Sequence, residues 1–427
     1  MRHLYRLFGF LPFLAVFLSL SCNQSDESVE LKFWAIGAEA EYVVKLVPEF
    51  EKRNPGIKVS VQAIPWTAAQ EKLITAFAGN NTPDLCQLGN TWVPQFASLN
   101  AIEPLDSFIT VNSPASRESF FPGILETNVI DGTLFGIPWY IDTRCLYYRK
   151  DILEKAGYSE PPKTWKELLD VSQKIKRNAG DHKKFAIYLP TNEFAPFVIF
   201  GLQAGASLLK ENNTLGNFSA PEFKTAFTFL TDFHKQQLAP IGISEVTNIY
   251  QGMADEFVAM YISGPWNIPE FKKWMKGKLQ DTWMTAPLPA KDSSYPGVSL
   301  AGGSSLVIFK SSKKKEAAWK FIEYLSETQT QLSFYRLLND LPSVKAAWEV
   351  SGLKDDKYMK AFYTQFLHVV PTPKIPEWEQ IAFYKIQQYA EYAARGAMTV
   401  DHALEALDDD VNTILEKRRW LMNRQVQ

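Results

Sequence analysis

Cysteine is scarce in this chain, with three residues in 427. Cys22 closes the N-terminal apolar segment, so Cys86 and Cys145 are the pair left for a disulfide in the body of the chain. Both lie in apolar runs, which is typical of free, buried thiols. The sequence therefore favours free thiols over a bridge, and it does not describe a small scaffold held together by disulfides.

A large excess of charge of either sign is also absent. The chain has 45 basic and 47 acidic residues, which gives a formal net charge of −2. Lys313–Lys315 is a short basic run, and Lys417–Arg419 has the character of a solvated helix end. A near-neutral chain without an extended basic stretch argues against a nucleic-acid partner.

The motifs that mark common catalytic and cofactor sites are missing as well. The five histidines are scattered, and the sequence has no H-E-x-x-H, C-x-x-C, G-x-G-x-x-G, Walker or G-x-S-x-G pattern. No metal or cofactor is expected, and an enzyme is not the favoured class. The competing enzyme class is a secreted glycoside hydrolase, which needs two carboxylates flanking the scissile bond. Sequence spacing alone places no such pair.

Long apolar runs are limited to the N-terminus. Leu7–Leu20 follows the basic residues Arg2 and Arg6 and is too short to span a bilayer. This layout is typical of a secretory signal, which we place at residues 1–21. Export from the cytoplasm is therefore expected, and no later run is long enough to cross a membrane.

The end of this segment, Ser19-Leu20-Ser21-Cys22, resembles a bacterial lipobox, in which the cysteine is diacylated and becomes the mature N-terminus. The match is imperfect because the motif usually has an aliphatic residue where Ser19 stands. The alternative is an ordinary secretory signal in which Cys22 has no role. Residues 22–30 are polar and suit a lipidated tether that holds the protein at the cell membrane, facing the periplasm or the cell exterior.

Aromatic residues and alternating strand and helix patterns are abundant. The chain has 12 Trp, 17 Tyr and 29 Phe, and the roughly 400 residues after the signal exceed what one hydrophobic core holds, so two domains are expected. Strand and helix signals alternate from Glu30 to Leu88, which predicts an α/β fold with parallel strands. Ligands bind outside the carboxyl ends of such strands.

The stretch Gly136–Asp151 places one carboxylate, Asp142, beside the aromatic pair Trp139 and Tyr140 and just before an apolar run. A carboxylate accepts hydrogen bonds from hydroxyl groups, while aromatic rings cover the C–H faces of a ligand. This combination suits a polyol. A surface turn before a core strand is the alternative that this stretch alone leaves open.

Several segments, in the same order, resemble the extracellular solute-binding proteins of family 1, the maltose- and trehalose-type sugar-binding lipoproteins of ABC importers. Together these segments span nearly the whole mature chain. They are Phe33-Trp34, Phe77-Ala78-Gly79 with Pro83-Asp84 and Trp92, Leu105-Asp106, Gly136-Ile137-Pro138 with Asp142 and Leu146–Asp151, Lys155-Ala156-Gly157 with Pro162–Trp165, Gly264-Pro265-Trp266, and Gly302-Gly303 with Ala317–Phe321.

The resemblance implies the two-lobe periplasmic-binding-protein fold of type II, with a multi-stranded hinge and a central ligand cleft. On this basis residues 31–141 and 290–341 form lobe I, and residues 142–289 and 342–427 form lobe II. A ligand that bridges both lobes stabilises the closed state, which a membrane permease then recognises.

The resemblance also implies ligand-binding residues. Asp142 matches the family's hydroxyl-binding aspartate, Tyr140 its companion ring and Trp266 its stacking tryptophan, while Ser304 stands where many relatives have a ring. Asn90 replaces an aspartate of many relatives, and either Glu39 or Glu41 matches an acidic contact. The full set of expected ligand contacts is Asp142, Trp266, Tyr140, Asn90, Glu39, Glu41, Trp66, Trp92, Gly303 and Trp378.

The implied function is capture of a sugar, of di- or oligosaccharide size, by a monomeric binding protein that delivers it to the permease subunits of an ABC transporter. A non-sugar solute in the same fold is the alternative. A glycerol phosphate needs basic groups or helix N-termini in the cleft, and Arg144 is the nearby candidate. A cationic osmolyte needs an aromatic cage.

Overall fold

The structure is a computed structural model that describes residues 28–180, 183–242 and 245–425. The predicted signal, Cys22 and most of the predicted tether lie outside the described residues. Within the described ranges, no helix combines the length and apolar character that a bilayer crossing requires.

The strands are mostly short, and the longest ones alternate with helices at the start of the chain, as the hydrophobic pattern predicts. In chain order they are β1 (Val29–Ile36), β2 (Ile57–Ile64), β3 (Leu85–Gly89), β4 (Val129–Ile130), β5 (Thr133–Leu134), β6 (Ile137–Asp142), β7 (Cys145–Arg149), β8 (Phe185–Tyr188), β9 (Leu209–Lys210), β10 (Leu215–Gly216), β11 (Val258–Ser263), β12 (Trp283–Ala286), β13 (Ser299–Leu300), β14 (Gly302–Ile308), β15 (Leu341–Pro342) and β16 (Val369–Val370).

Helices cover the sheets and dominate the last third of the chain. They are α1 (Gly37–Val43), α2 (Val47–Arg53), α3 (Trp66–Ala78), α4 (Val93–Ser98), α5 (Pro122–Glu126), α6 (Lys150–Lys155), α7 (Trp165–Ala179), α8 (Ala195–Gln203), α9 (Pro221–Lys235), α10 (Ile249–Ala254), α11 (Asn267–Trp274), α12 (Lys315–Ser326), α13 (Thr328–Leu338), α14 (Lys345–Ser351), α15 (Lys360–Phe366), α16 (Trp378–Gln380), α17 (Gln387–Ala394), α18 (Val400–Ile414) and α19 (Glu416–Gln425). Short 3-10 turns cover Asn90–Trp92, Asp106–Phe108, Arg117–Ser119, Gly277–Leu279 and Leu353–Asp355, and a π-helical turn covers Ile381–Ile386.

The larger sheet has six strands in the order β15-β6-β14-β3-β1-β2. Strand β1 runs parallel to β2 and β3, whereas β14 runs antiparallel to β3 and β6. Residues Leu31, Phe33 and Ala35 of β1 belong to one buried cluster and Ile36 to another, so helices cover both faces of this sheet. The carboxyl ends of β1 and β3 meet the end of β6 at one edge.

The smaller sheet has four strands in the order β12-β7-β11-β8. The chain passes from the larger sheet to this one through Thr143 and Arg144, which separate β6 from β7. It returns after β12, where β13 pairs with β16 through Ser299 and Val369, and enters β14 of the larger sheet. Several chain crossings therefore join two sheets, as the two-lobe expectation requires.

The predicted residue boundaries of the two lobes stay a prediction. The expected division between residues 141 and 142 falls at the last residue of β6, because Asp142 still pairs with Gly302 in the larger sheet. A third buried cluster contains both Ile141 and Tyr147, so side chains from the two sheets pack together at this crossing.

Cys86 and Cys145 are free and fully buried, as their apolar surroundings predict. Trp165 also has the packing role expected of a tryptophan on an amphipathic helix. Its ring stacks on Phe200 and Phe229 at centroid distances of 5.0 and 4.9 Å. These residues build the core and do not reach the cleft.

Candidate functional site

A cavity of about 370 Å³ lies between the two sheets, at the carboxyl end of β3 and the end of β6. Its volume is within the usual range of small-molecule sites, about 300–1,000 Å³. Its lining combines carboxylates, amide and hydroxyl groups with aromatic rings. The lining residues are Trp66, Gly89, Asn90, Thr91, Trp92, Tyr140, Asp142, Arg144, Glu193, Phe194, Leu300, Ala301, Gly302, Gly303, Thr372, Glu379 and Phe383.

Asp142 lies at the end of β6. Two glycines on the neighbouring strand β14 leave room for its side chain and for the β6 backbone. A Cβ atom at Gly302 would collide with Oδ1 of Asp142, and one at Gly303 would collide with the carbonyl oxygen of Tyr140. Gly303 also has a φ of +121°, a conformation that side-chain-bearing residues rarely adopt. Gly303 therefore shapes the cavity through its backbone.

Tyr140 is the centre of a buried hydrogen-bond network. Its hydroxyl donates to Oε1 of Glu39 at 2.5 Å and accepts from the hydroxyl of Ser304 at 2.9 Å. Nε2 of Gln87 donates to Ser304 at 3.1 Å. Burial, followed by the charge of Glu39, raises the pKa of the Tyr140 hydroxyl well above its usual value. The tyrosine therefore stays protonated and is fixed in position by its partners.

Ser304 thus has a structural role that its departure from the family pattern did not reveal. A hydroxyl at this position can donate to Tyr140, whereas an aromatic ring cannot make that bond. The larger sheet therefore has no aromatic ring at position 304.

Asp142 and Arg144 form an ion pair inside the cavity. Nη1 of Arg144 lies 3.1 Å from Oδ1 of Asp142, and Nη2 lies 3.6 Å from Oε1 of Glu193. Burial raises the pKa of the Asp142 carboxyl, and the Arg144 charge opposes this effect without cancelling it. The two side chains are mostly buried, with 17% of Arg144 and 22% of Asp142 exposed.

Trp266 contacts this pair from the loop after β11. The Arg144 guanidinium lies 4.6 Å from the centroid of the Trp266 ring, within the range of a cation–π contact. A Cβ atom at Gly264 would collide with the same ring, so this glycine makes room for it. Trp266 is 48% exposed and reaches the cavity through Arg144 instead of lining it directly.

Asn90, Thr91 and Trp92 enter the cavity from the 3-10 turn after β3. Nδ2 of Asn90 donates to the carbonyl oxygen of Ala301 at 2.8 Å. Because this bond uses the amide nitrogen, the side-chain oxygen of Asn90 can accept a hydrogen bond from a ligand hydroxyl. The Trp92 ring meets Trp66 edge to face, with a centroid distance of 5.6 Å.

Glu379 of α16 reaches this turn from the other side of the cavity. Interactions with the side chains of Thr91 and Trp92 lower the pKa of its carboxyl. Burial is the larger effect, so the pKa of the Glu379 carboxyl is raised overall. Glu379 therefore links helix α16, which comes late in the chain, with the turn that follows β3.

Four of the expected contacts lie outside the cavity lining: Trp266, Glu39, Glu41 and Trp378. Glu41 is exposed, whereas Glu39, two residues earlier on α1, is buried against Tyr140. Trp378 is 1% exposed and packs edge to face with Phe194, because its large apolar ring is covered by the hydrophobic core. We therefore correct the expected placement of Trp378, and its neighbour Glu379 takes the position facing the cavity.

Other cavity residues carried no signal in the sequence. Glu193, Phe194 and Thr372 stand outside any motif that the sequence suggests, and Phe383 belongs to a π-helical turn. Such turns are frequent at functional sites and are not readable from hydrophobic periodicity. Phe383 is 47% exposed and adds an aromatic ring to the cavity lining.

Asp340 is a further carboxyl that sequence reasoning missed. In the register of β15 with β6, Leu341 pairs with Ile141, which places Asp340 opposite Asp142. Its Oδ2 atom is buried and has no hydrogen-bond partner among the described residues. Burial, then the charges of Glu39 and Asp142, raise the pKa of Asp340 to about 8. No group of three or more potential ligands in the described part of the chain has an arrangement that could hold a metal ion.

This raised pKa predicts a loss of stability at alkaline pH. Because the folded protein binds the Asp340 proton more tightly than the unfolded chain does, the stabilisation is complete below pH 4 and is lost as the pH rises towards 8. One pKa unit corresponds to about 1.4 kcal/mol, so the cost at pH 8 is on the order of a few kcal/mol. We expect Asp340→Asn to raise the melting temperature at pH 8 and to change it little at pH 4.5. Equal effects at both pH values would contradict this assignment.

The fold and the cavity define the class: a two-lobed binding protein with a cleft for a small solute between its sheets. The chain belongs to the bacterial extracellular solute-binding protein family, whose model matches residues 36–332. The sequence-based family assignment and the expected fold are therefore confirmed.

Solved structures and curated relatives agree with this assignment. The sugar-binding protein MalE from Xanthomonas citri is 44% identical with a TM-score of 0.89, covering 92% of this chain and 99% of that one. The GacH receptor of Streptomyces glaucescens, solved unliganded and with acarbose, is 26% identical with a TM-score of 0.74, covering 91% and 99%. The diacetylchitobiose binding protein DasA of Streptomyces coelicolor is 26% identical, covering 82% of this chain and 81% of that protein.

Proposed function

We propose that this protein captures a sugar in the interlobe cavity and delivers it to the permease of an ABC importer. The observation that carries the proposal is the composition of the cavity: acceptor groups on Asp142, Asn90 and Glu193 stand beside the rings of Trp66, Trp92 and Phe383. A sugar presents hydroxyl edges and apolar C–H faces, and this lining complements both. Delivery to a permease follows from membership of the family.

A glycerol phosphate is a poorer match for this cavity. Arg144 is the one basic residue in the lining, and it already pairs with Asp142 and Glu193. The lining has three carboxyl groups against this one guanidinium, so an anionic ligand meets an unfavourable field. A cationic osmolyte is the second candidate, because the Arg144 contact demonstrates that the Trp266 ring accepts a cation.

The test is the thermal stability of the mature body, residues 23–427, with mono-, di- and trisaccharides, glycerol phosphates and betaines. A ligand at a hundred times its dissociation constant stabilises the folded state by about 2.7 kcal/mol. We expect stabilisation by one class of sugars. A shift with a phosphate or an ammonium compound alone would overturn the sugar assignment and keep the binding function.

The proposal assigns the protein no catalytic role. The cavity carboxylates Asp142 and Glu193 are both engaged by Arg144, at 3.1 and 3.6 Å. A hydrolase needs one carboxyl to protonate the leaving group and a second to act as nucleophile or base. We expect a bound oligosaccharide to be recovered intact after prolonged incubation, and chromatographic detection of shorter sugars would contradict this.

We also propose that Cys22 carries the lipid anchor and that the protein acts as a monomer at the exported face of the membrane. The polar segment after Cys22 supports a tether, because it offers few apolar groups for packing against the body. Cys22→Ala should release the protein from the membrane fraction into the soluble fraction. Unchanged membrane retention in a fractionation experiment would count against this anchor.

A further inference from the structure

Arg144 occupies an unusual position in the hinge. It is the last residue of the two-residue connection between β6 of the larger sheet and β7 of the smaller one. From there its guanidinium contacts Asp142 of β6, Glu193 before α8, and the ring of Trp266 after β11. One side chain therefore joins groups from both sheets across the ligand cavity.

The groups that Arg144 contacts are the ones that a sugar requires. Asp142 is the carboxylate proposed to accept ligand hydroxyl groups, and Trp266 is the ring proposed to cover a C–H face. The guanidinium is a flat group with N–H donors at its edge, so it satisfies the carboxylate and covers the ring at the same time. A sugar ring, with hydroxyl groups at its edge and C–H groups on its face, makes the same two kinds of contact.

The fit of Arg144 to this subsite is incomplete. Its Nε atom is buried and has no hydrogen-bond partner among the described residues. A buried donor without a partner costs free energy that a better-matched occupant avoids. The distance to Glu193, 3.6 Å, is also longer than that of a direct hydrogen bond. The guanidinium is therefore held in the subsite by contacts that leave part of its bonding capacity unused.

We propose that Arg144 is an internal occupant of one ligand subsite, which the sugar must displace from Asp142 and Trp266. This inference rests on the proposed function. Glu193 is the acceptor for the displaced guanidinium, because it is already within 3.6 Å and has 33% of its side chain exposed in the cavity. Displacement thus leaves Arg144 paired with Glu193 and gives Asp142 the hydroxyl groups of the ligand in place of the guanidinium, so neither charge is left without a partner.

As an internal occupant, Arg144 determines which solutes bind as well as how tightly they bind. A solute displaces the guanidinium only if it offers hydroxyl donors to Asp142 and an apolar face to Trp266 together. A solute with one of these features leaves the other group unpaired, and that loss disfavours binding. The alternative role, in which Arg144 stays in place and donates hydrogen bonds to the ligand, predicts the opposite effect of removing it.

The test is isothermal titration calorimetry at pH 7 with maltose and trehalose as probes, on wild type, Arg144→Ala and Arg144→Gln. Removal of the occupant should tighten binding of the probe by about tenfold, because every 1.4 kcal/mol of removed competition is a factor of ten. Neutral pH is chosen because ionisation of Asp340 near pH 8 would destabilise the fold and place a second negative charge opposite Asp142. Arg395→Ala, which removes an exposed ion pair with Glu391, is the matched control and should leave the affinity unchanged.

Each outcome decides a different point. Weaker or equal binding in the Arg144 variants, with binding by wild type, overturns the internal-occupant proposal and leaves the sugar function intact. Binding by Arg144→Ala alone supports the proposal strongly. Absence of binding in every variant, extended to the full sugar panel, overturns the proposed function and this inference with it. If Arg144→Ala does not fold, Arg144→Gln decides, because glutamine lacks both the charge and the planar guanidinium.

Discussion

Replacement of Asp142 by asparagine is expected to weaken sugar binding by about tenfold, and replacement by alanine by about a hundredfold. Hydrogen bonds to a charged acceptor contribute about 1.5–3 kcal/mol, roughly twice the value for neutral pairs. Asparagine keeps the shape and one acceptor oxygen, whereas alanine removes both. The measurement is calorimetric titration with the sugar that gives the largest thermal shift.

The stability of the ligand-free protein should change little in either variant. Burial raises the pKa of Asp142, so the folded state gains little from holding this group ionised. Asp355→Asn is the control, because Asp355 is exposed and lies outside the cavity lining. Wild-type affinity in both Asp142 variants would mean that the ligand binds elsewhere.

A double variant connects this prediction to the role of Arg144. If Arg144 competes with the ligand for Asp142, the gain from Arg144→Ala should be smaller in the Asp142→Asn background than in wild type. Residues in direct contact commonly show such non-additive effects, of about 0.5–3 kcal/mol. Fully additive changes would indicate that the two side chains act on the ligand independently.

Replacement of Trp266 by alanine is the second variant with a large expected effect, a loss of affinity of at least tenfold. Truncation of a central aromatic contact commonly costs about 2 kcal/mol or more in binding. Trp266→Phe keeps a ring and should retain most of the affinity. Trp274→Ala is the matched control, because Trp274 is another exposed tryptophan, 39% accessible, and lies at the far end of helix α11 from the Trp266–Arg144 contact.

The variant Phe383→Ala tests whether Phe383 forms a second aromatic contact with the sugar, in addition to Trp266. Phe383 lines the cavity from the π-helical turn. A loss of affinity for disaccharides with a smaller loss for monosaccharides would assign Phe383 to a second sugar ring. Unchanged affinity for sugars of every length would exclude Phe383 from the site.

The early α/β units were predictable because their signals are local. The alternation of Ile57, Val59 and Val61 predicts strand β2, and the helix pattern after Trp66 predicts α3, since each depends only on the period of neighbouring side chains. The glycine and proline residues between these elements mark the turns. Tertiary packing adds the order of strands in the sheet, which no local pattern contains.

The candidate site was predictable only in part. Asp142 and Tyr140 lie on one strand and Asn90 directly follows another, so their approach to the cleft follows from the strand direction. Glu193, Glu379 and Phe383 come from segments far away in the chain, and their positions depend on how the chain crosses between the sheets. The burial of Trp378 against Phe194 was not predictable for the same reason, and its role as a ligand contact stays a prediction.

The sequence by itself determined the family and the α/β character, and it predicted an export signal and a central carboxylate in the cleft, since these depend on local order and composition. Only the tertiary structure decided which groups surround that carboxylate. Arg144 contacts Trp266, and Asp340 lies opposite Asp142, because backbone crossings bring separate segments within a few ångströms. Electrostatic and hydrogen-bond energies depend on such distances and on burial, and neither is written in the order of residues along the chain.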